Sequence, residues 1–201
     1  MSNWIRFTAP HGALLVVDVQ EKLIDTMSYG DLVVANSVRL TQAAELLRIP
    51  HWATEQYPRG LGPTVADLTA LYPQRPSKTC FHCLSVPELL EQLHGLSIRH
   101  VTLAGIEAHV CIAQTALELL AKGLRVQIPA DAVASRSVTD YVYALRRLEC
   151  AGAVVTTTEA VLFEWIETAD HPQFKAISRL VKDFVPPGPH PKEPSRADRV
   201  S

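Results

Sequence analysis

One stretch in the middle of the chain, residues 101–123, constrains the fold more than any other. It opens with an apolar run that ends at Gly105, which is typical of a buried strand leaving a sheet. Apolar residues then recur at helical spacing and stop at Gly123, a helix C-terminal signal. Cys111 therefore lies where a strand and loop connect to a helix, and there the helix dipole and free backbone N–H groups would stabilise a thiolate. A small buried cysteine with only a packing role is the alternative interpretation.

The order of strand followed by helix recurs along the whole chain. The predicted strands are 13–20, 49–54, a short one at Lys78, 101–104, 124–129 and 153–156; the predicted helices are 31–48, 85–95, one from Cys111 to Gly123, 140–150, 159–168 and 172–184. Such alternation predicts an α/β fold, a three-layer α/β/α sandwich around a parallel sheet. We assign residues 1–185 to one domain and 186–201 to a proline-rich C-terminal tail.

Composition excludes several functional classes. A net charge of -2 implies no broad basic face, which argues against nucleic acid as a partner. No apolar run approaches the length of a membrane span, and the start of the chain lacks a charged-then-apolar leader. Four cysteines in 201 residues are too sparse for a disulfide framework and fit a reducing compartment. We therefore expect a cytoplasmic protein, and the lack of any glycine-rich phosphate motif predicts no nucleotide cofactor.

Two charged residues interrupt apolar stretches of the predicted strands. Asp18 lies near the end of the first strand, at the sheet edge where open α/β sheets bind ligands, so it is either a catalytic group or a turn or capping residue. Lys78 lies in a short strand-like stretch followed by apolar residues. Burial disfavours an ammonium unless a carboxylate pairs with it, and Asp18 is the candidate partner. A solvent-facing strand lysine is the alternative.

Cys80 and Cys83 form a C-x-x-C pair that could bind zinc or act in redox chemistry. A zinc ribbon needs a second ligand pair at matching spacing, which the remaining Cys150 and scattered histidines do not provide. A redox dithiol is expected at a helix N-terminus that follows a strand, and this pair does not lie at such a position. We therefore interpret both as packing cysteines.

Several separated motifs together resemble the isochorismatase-like cysteine hydrolase family, and within it the isochorismatase-domain-containing subgroup. They are 13–20 around Asp18, Ser77-Lys78-Thr79, Gly105–Cys111 with Thr115, Glu55–Pro58, 131–137, and 156–159 followed by Phe163. The likeness covers roughly residues 10 to 183. It implies a six-stranded, Rossmann-like, mainly parallel sheet, with the site at the carboxyl edges of the first, third and fourth strands.

The resemblance also implies an Asp–Lys–Cys triad, which falls on Asp18, Lys78 and Cys111. In such a triad the cysteine attacks a carbonyl-type carbon, the aspartate accepts the thiol proton and the lysine keeps the aspartate ionised. The family's cis peptide bond falls on Ile106–Glu107, so that Glu107 and Ala108 would line an oxyanion hole with the Cys111 backbone.

Weaker expectations concern the pocket wall and the partners. Gln20, Tyr57 and Phe81 are candidates for substrate contact in that wall. Some relatives, the nicotinamidases, carry an Asp-x-His zinc motif near the loop 55–63, and its absence here predicts a site without metal or other cofactor. We expect a small-molecule substrate and a homo-oligomer, either a dimer or a tetramer.

Family membership alone does not fix the reaction. With Cys111 present and the zinc motif missing, hydrolysis of an amide or related C–N bond through a thioester-type intermediate is the favoured function. The alternative is a non-catalytic binding or scaffold protein on the same fold. For His109, two residues before Cys111, loop packing or a backbone contact is the preferred interpretation.

Overall fold

The computed structural model describes residues 6–187, so the predicted tail at 186–201 lies almost entirely outside the described residues. The strands are β1 (Gly12–Val17), β2 (His51–Gln56), β3 (Ser77–Lys78), β4 (His100–Ile106), β5 (Arg125–Pro129), β6 (Val133–Ala134) and β7 (Val154–Thr156). The helices are α1 (Glu21–Ile24), α2 (Gly30–Leu47), α3 (Pro58–Leu61), α4 (Ala66–Thr69), α5 (Pro87–Gly95), α6 (Ala113–Ala121), α7 (Val138–Cys150), α8 (Thr158–Ile166) and α9 (Phe174–Lys182). No helix within these described residues is both long enough and apolar enough to span a bilayer.

The strands form a single parallel sheet in the order β3-β2-β1-β4-β5-β7. This confirms the predicted α/β class with its mainly parallel sheet. The prediction of six strands omitted β6, a two-residue strand that pairs with β4 beyond the end of β5. Two residues after a 3-10 turn are too short to produce an alternating or apolar pattern that could be recognised in the sequence.

Helices cover both faces of the sheet, which explains why the central strands are continuously apolar. In β1, Leu14 and Val16 pack with α2, α8 and α9, whereas Leu15 and Val17 pack with α5, α6 and α7. Because successive side chains of a strand point to opposite faces, a strand covered on both faces needs apolar residues throughout. Two hydrophobic cores therefore lie on either side of the same sheet.

Gly105 brings β1 and β4 unusually close together at the carboxyl edge of the sheet. Its φ is 116°, and a Cβ at this position would lie 2.1 Å from the carbonyl oxygen of Val17. Only glycine fits such a close approach of two backbones. The segments that follow the two strands, one beginning at Asp18 and the other at Ile106, consequently leave the sheet side by side.

Candidate active site

The structure brings Asp18, Lys78 and Cys111 together at the carboxyl edge of the sheet. Asp18 directly follows β1, Lys78 ends β3, and Cys111 lies five residues after β4. Nζ of Lys78 lies 2.6 Å from Oδ2 of Asp18. Cys111 lies close enough to Asp18 for the negative charge of that carboxylate to raise the pKa of its thiol. All three are buried, with exposed fractions of 0% for Asp18 and 6% for each of the other two.

Lys78 uses every hydrogen of its ammonium group within the protein. Besides Oδ2 of Asp18, it donates to Oε1 of Gln56 at 2.8 Å and to the carbonyl oxygen of Phe81 at 3.0 Å. Burial acts to lower the pKa of Lys78, but the charge of Asp18, followed by the nearby thiols, more than offsets it, so the pKa is raised. Lys78 is therefore a fixed positive charge whose three donors are already engaged.

Both oxygens of the Asp18 carboxylate are held by neighbouring strands. Oδ2 faces Lys78 on β3, and Oδ1 accepts a 2.8 Å hydrogen bond from the hydroxyl of Thr54 on β2. The backbone of Asp18 has a φ of 54°, and its carbonyl accepts from the Gln20 N–H at 2.8 Å. This local turn at the end of β1 directs the carboxylate towards the face of the sheet that carries Thr54.

Cys111 lies inside a π-helical turn, Ala108–Ile112, that continues into α6. From the sequence, Cys111 was expected at a helix N-terminus that would stabilise the thiolate. Instead, burial and then the negative charge of Asp18 raise the pKa of the Cys111 thiol, while Lys78 acts in the opposite direction. The folded surroundings of Cys111 therefore disfavour the thiolate form.

A second buried cysteine lies beside the triad. Cys83 is fully buried, and its Sγ lies 3.5 Å from the Thr54 hydroxyl. Its backbone N–H donates to Oγ1 of Thr115, which lies one helical turn after Cys111 on α6. Burial raises the pKa of the Cys83 thiol to about 11. Cys83 was interpreted as a packing residue, and the structure shows that it also ties the loop after β3 to the helix of Cys111.

Three further residues, Thr54, Gln56 and Cys83, contribute to the site and were missed by sequence reasoning. Thr54 and Gln56 are polar residues near the carboxyl end of a strand that is otherwise partly buried, the same signal that identified Asp18. That signal could have been applied to β2, whose pattern was obscured by His51 and Trp52. For Cys83 nothing in the local sequence distinguishes it from exposed Cys80.

The three residues proposed for the pocket wall differ in their surroundings. Gln20 is fully buried, and its amide bonds only to backbone groups, accepting from Gln56 N–H and donating to the carbonyls of Gln56 and Gly62. Tyr57 and Phe81 are 55% and 48% exposed. The Phe81 carbonyl reaches the site through Lys78. Gln20 therefore holds the backbone of β2, whereas the two aromatic rings are available to a ligand.

The segment between β4 and Cys111 is fixed by Glu107. The peptide bond between Ile106 and Glu107 is cis. Oε2 of Glu107 accepts from the backbone N–H of Arg136 at 3.1 Å and from its Nε at 3.2 Å. Ala108 is fully buried at the start of the π-helical turn. The loop after β6 thus anchors the residues that precede Cys111.

His109 points to a different set of partners. Its Nδ1 lies 2.9 Å from the hydroxyl of Ser135, and its Nε2 lies 3.9 Å from Oδ2 of Asp140 on α7. These contacts agree with the interpretation of His109 as a packing residue of the loop.

A cavity of about 770 Å³ lies between the β2–β3 edge and α5. Its walls include Trp52, Thr54, Tyr57 and Lys78, but neither Asp18 nor Cys111. Thr54 and Lys78, the two residues that hold the Asp18 carboxylate, therefore form part of this wall, although both are buried.

The described residues contain no constellation that could hold a metal ion: no three or more His, Cys, Asp and Glu side chains come together in 6–187. Cys80 is exposed and Cys83 is buried, and both are free thiols. The C-x-x-C pair is thus split between the surface and the interior.

The fold and this edge of the sheet define an isochorismatase-like α/β protein. Residues 12–160 match the model of the isochorismatase domain. Isochorismatase domain-containing protein 2 of Danio rerio is 44% identical over 178 residues, covering 88% of this chain and 89% of that protein. Isochorismatase domain-containing protein 2A of Mus musculus is 42% identical over 174 residues, covering 86% and 84%. The structure of the MAR1 ribonuclease from Caenorhabditis elegans superimposes with a TM-score of 0.84 at 39% identity, over 94% of this chain and 100% of that one. The chain belongs to the isochorismatase domain family.

Proposed function

We propose that the protein is a cysteine-dependent hydrolase of a small molecule, and that it cleaves an amide or related C–N bond through a thioester intermediate. Membership of the isochorismatase family supports a hydrolase. The observation that supports the finer proposal is the position of the Asp18 carboxylate, which is held by Lys78 and Thr54 and lies near enough to Cys111 to raise the pKa of the thiol.

In the first half-reaction, Asp18 accepts the thiol proton while the sulfur attacks the carbonyl carbon of the substrate. A raised thiol pKa makes this base necessary, because little thiolate exists beforehand. The tetrahedral intermediate then collapses: its C–N bond breaks, the amine leaves with the proton held by Asp18, and the acyl group remains on sulfur.

In the second half-reaction, the oxygen of a water molecule attacks the thioester carbon while Asp18 accepts a proton from that water. Collapse of this second intermediate breaks the C–S bond, releases the acid and returns the proton to the thiol. Because all three N–H groups of Lys78 are engaged, Lys78 holds Asp18 by a direct hydrogen bond and acts on the sulfur only through its charge. It does not bind the oxyanion. Backbone N–H groups of Glu107, Ala108 and Cys111 are the proposed oxyanion hole.

The size and charge of the site support a small substrate. The Caenorhabditis elegans relative is described as a ribonuclease, and a polynucleotide requires a basic surface to track its backbone. This chain has a net charge of -2, and its triad is buried at exposed fractions of 6% or less. Both observations favour a small uncharged or weakly charged substrate over RNA.

We further propose that the chain is cytoplasmic and forms a dimer or tetramer. An octameric hydrolase from Escherichia coli shares its fold.

A panel of small carboxamides and ureides, with an RNA oligonucleotide as a separate arm, tests the proposal. We expect turnover of at least one amide, an acyl adduct on Cys111 by mass spectrometry, and no cleavage of RNA. Cys111→Ser should abolish turnover and adduct, whereas Cys150→Ser, at an exposed thiol at the end of α7, should retain both. Full amide turnover by Cys111→Ser, or RNA cleavage that Cys111→Ser abolishes, would contradict the proposal.

A further inference from the structure

We infer that Gln56 is a positioning residue that fixes the Lys78 ammonium group and thereby sets the reactivity of Cys111. The inference rests on the proposed function for its effect on turnover, but its effect on the thiol does not depend on any substrate.

The position of Lys78 depends on few backbone contacts. β3 comprises only Ser77 and Lys78, and it forms an edge of the sheet. A strand this short gives its terminal side chain little support from backbone pairing. The ammonium group is instead located by the three oxygens that accept its hydrogens, and two of these, on Asp18 and Gln56, belong to neighbouring strand ends.

The orientation of the Gln56 amide is fixed by its second contact. Its Nε2 donates to the carbonyl of Thr79 at 2.8 Å, while its Oε1 accepts from Lys78 at 2.8 Å. A flipped amide would place its NH2 group against the ammonium and its oxygen against the carbonyl, and both contacts would be repulsive. The two partners therefore require the same orientation, with the oxygen towards Lys78.

The backbone of Gln56 is held as firmly as its side chain. The amide of Gln20 accepts from the Gln56 N–H at 2.7 Å and donates to the Gln56 carbonyl at 3.1 Å. Gln20 follows Asp18 by two residues, so the strand end that supplies the carboxylate also secures the residue that holds the lysine. Gln20 and Gln56 are both buried, at 0% and 7% exposure, so neither contact competes strongly with water.

Loss of the Gln56 oxygen would leave one hydrogen of a buried ammonium without an acceptor. A buried charge that loses a partner carries a large desolvation cost. Lys78 would then move or lose its proton more readily, and the positive charge that favours the Cys111 thiolate would weaken. The loss of the Gln56 oxygen should therefore slow the chemical step much more than it weakens the binding of substrate.

The test replaces Gln56 by Met, which has similar length and no strong acceptor. Gln127→Met is the matched control, because Gln127 is a fully buried glutamine of β5 that bonds to Thr102 and not to the triad. We expect the rate of Cys111 alkylation by iodoacetamide at pH 8 to fall about tenfold in Gln56→Met, equal to a rise of about one unit in the apparent thiol pKa. With an amide substrate, kcat should fall about tenfold while KM stays within about twofold. The control should change neither rate by more than about twofold.

A double-mutant cycle with Lys78→Met separates positioning from a merely structural role. If Gln56 acts through Lys78, Gln56→Met should not slow alkylation further in the Lys78→Met background. If the two effects add, the inference is wrong.

A second outcome applies if Gln56→Met alone fails to fold. Recovery of folding in the double variant then supports the inference. If the double variant fails to fold although Lys78→Met folds, the inference is overturned. Absence of any amide turnover would count against the proposed function alone, since alkylation is measured without substrate.

Discussion

The hydroxyl of Thr54 donates a 2.8 Å hydrogen bond to Oδ1 of Asp18, and so occupies the carboxylate oxygen that Lys78 does not. Thr54→Val keeps the shape of the side chain and removes this donor. Because Asp18 would then be oriented by Lys78 alone, kcat should fall about tenfold, while the free energy of unfolding should fall by about 1–3 kcal/mol.

Thr41→Val provides the control for that experiment. Thr41 is a fully buried threonine of α2 whose hydroxyl bonds to Ser37 and Tyr72. The Thr41→Val variant should show a similar decrease in the free energy of unfolding, measured by urea denaturation, and should keep its kcat. Equal loss of kcat in both variants would show that Thr54 acts only through stability.

Replacement of Asp18 by Asn should make Cys111 more reactive while it abolishes turnover. Asp18 raises the pKa of the thiol, so its neutralisation should lower that pKa and speed alkylation of Cys111 at pH 7.5 several-fold. Turnover should fall by at least about 10²-fold because the proton acceptor is gone. Labelling followed by peptide mapping measures the first effect, and Asp140→Asn, an exposed carboxylate on α7, is the control.

Lys78→Met should shift the same thiol in the opposite direction. Lys78 lowers the pKa of Cys111, so its loss should raise that pKa and slow alkylation across pH 7 to 9. Faster labelling of Cys111 in Lys78→Met than in the unaltered protein would contradict the electrostatic role given to this residue.

Glu107→Gln should weaken the anchor between the Cys111 segment and the loop after β6. An amide oxygen accepts less strongly than a carboxylate from Arg136, so the free energy of unfolding should fall by about 1–2 kcal/mol. Turnover should fall several-fold as the residues before Cys111 become less ordered. Asp131→Asn disrupts a comparable arrangement, since one carboxylate oxygen there accepts from the backbone N–H and hydroxyl of Thr158, and it should affect stability alone.

Stability should decline in mild acid through His100. Burial, followed by the charge of Arg125, lowers the pKa of His100 to about 4, below its ordinary value of about 6.5. The unfolded chain therefore binds a proton between these two pH values that the folded chain excludes. The free energy of unfolding should fall as pH decreases from about 6.5 to 4, by at most about 1.4 kcal/mol per pH unit from this group.

The variant His100→Gln isolates that contribution. Its stability at pH 7.5 should be lower than that of the unaltered protein, but the difference between them should narrow as the pH approaches 4. Thermal unfolding of both proteins at several pH values measures the difference. A gap that stays constant over this range would show that His100 does not titrate as described.

The order of elements could be predicted from the sequence because the central strands are apolar throughout. Residues 13–17 and 100–106 are buried on both faces, and a run of that kind has few alternatives in an α/β chain. Shorter elements such as β6 and α1 remained undetected, because two to four residues carry no measurable periodicity.

The candidate site could be predicted only for residues whose chemistry conflicts with their surroundings. Asp18 and Lys78 are charges beside apolar residues, which made them candidates without a structure. The family resemblance then favoured a site role over a turn residue and a solvent-facing lysine. Gln56 and Thr54 are neutral, and their importance arises from hydrogen bonds to residues that are distant in the sequence. Gln56 accepts from Lys78, 22 positions away, and Thr54 donates to Asp18, 36 positions away. The thiolate of Cys111 was expected to be favoured by the helix dipole and Lys78 and opposed by the charge of Asp18, whereas burial has the largest effect on its pKa in the folded protein.

The shortness of β3 has a consequence for how the protein loses function under stress. Lys78 stands on a two-residue edge strand, while Asp18 and Cys111 follow long interior strands. Edge elements with few backbone contacts open at a lower free energy than the central strands. Mild urea should therefore inactivate the protein while most of its secondary structure persists, and full activity should return on dilution because the interior strands never separated.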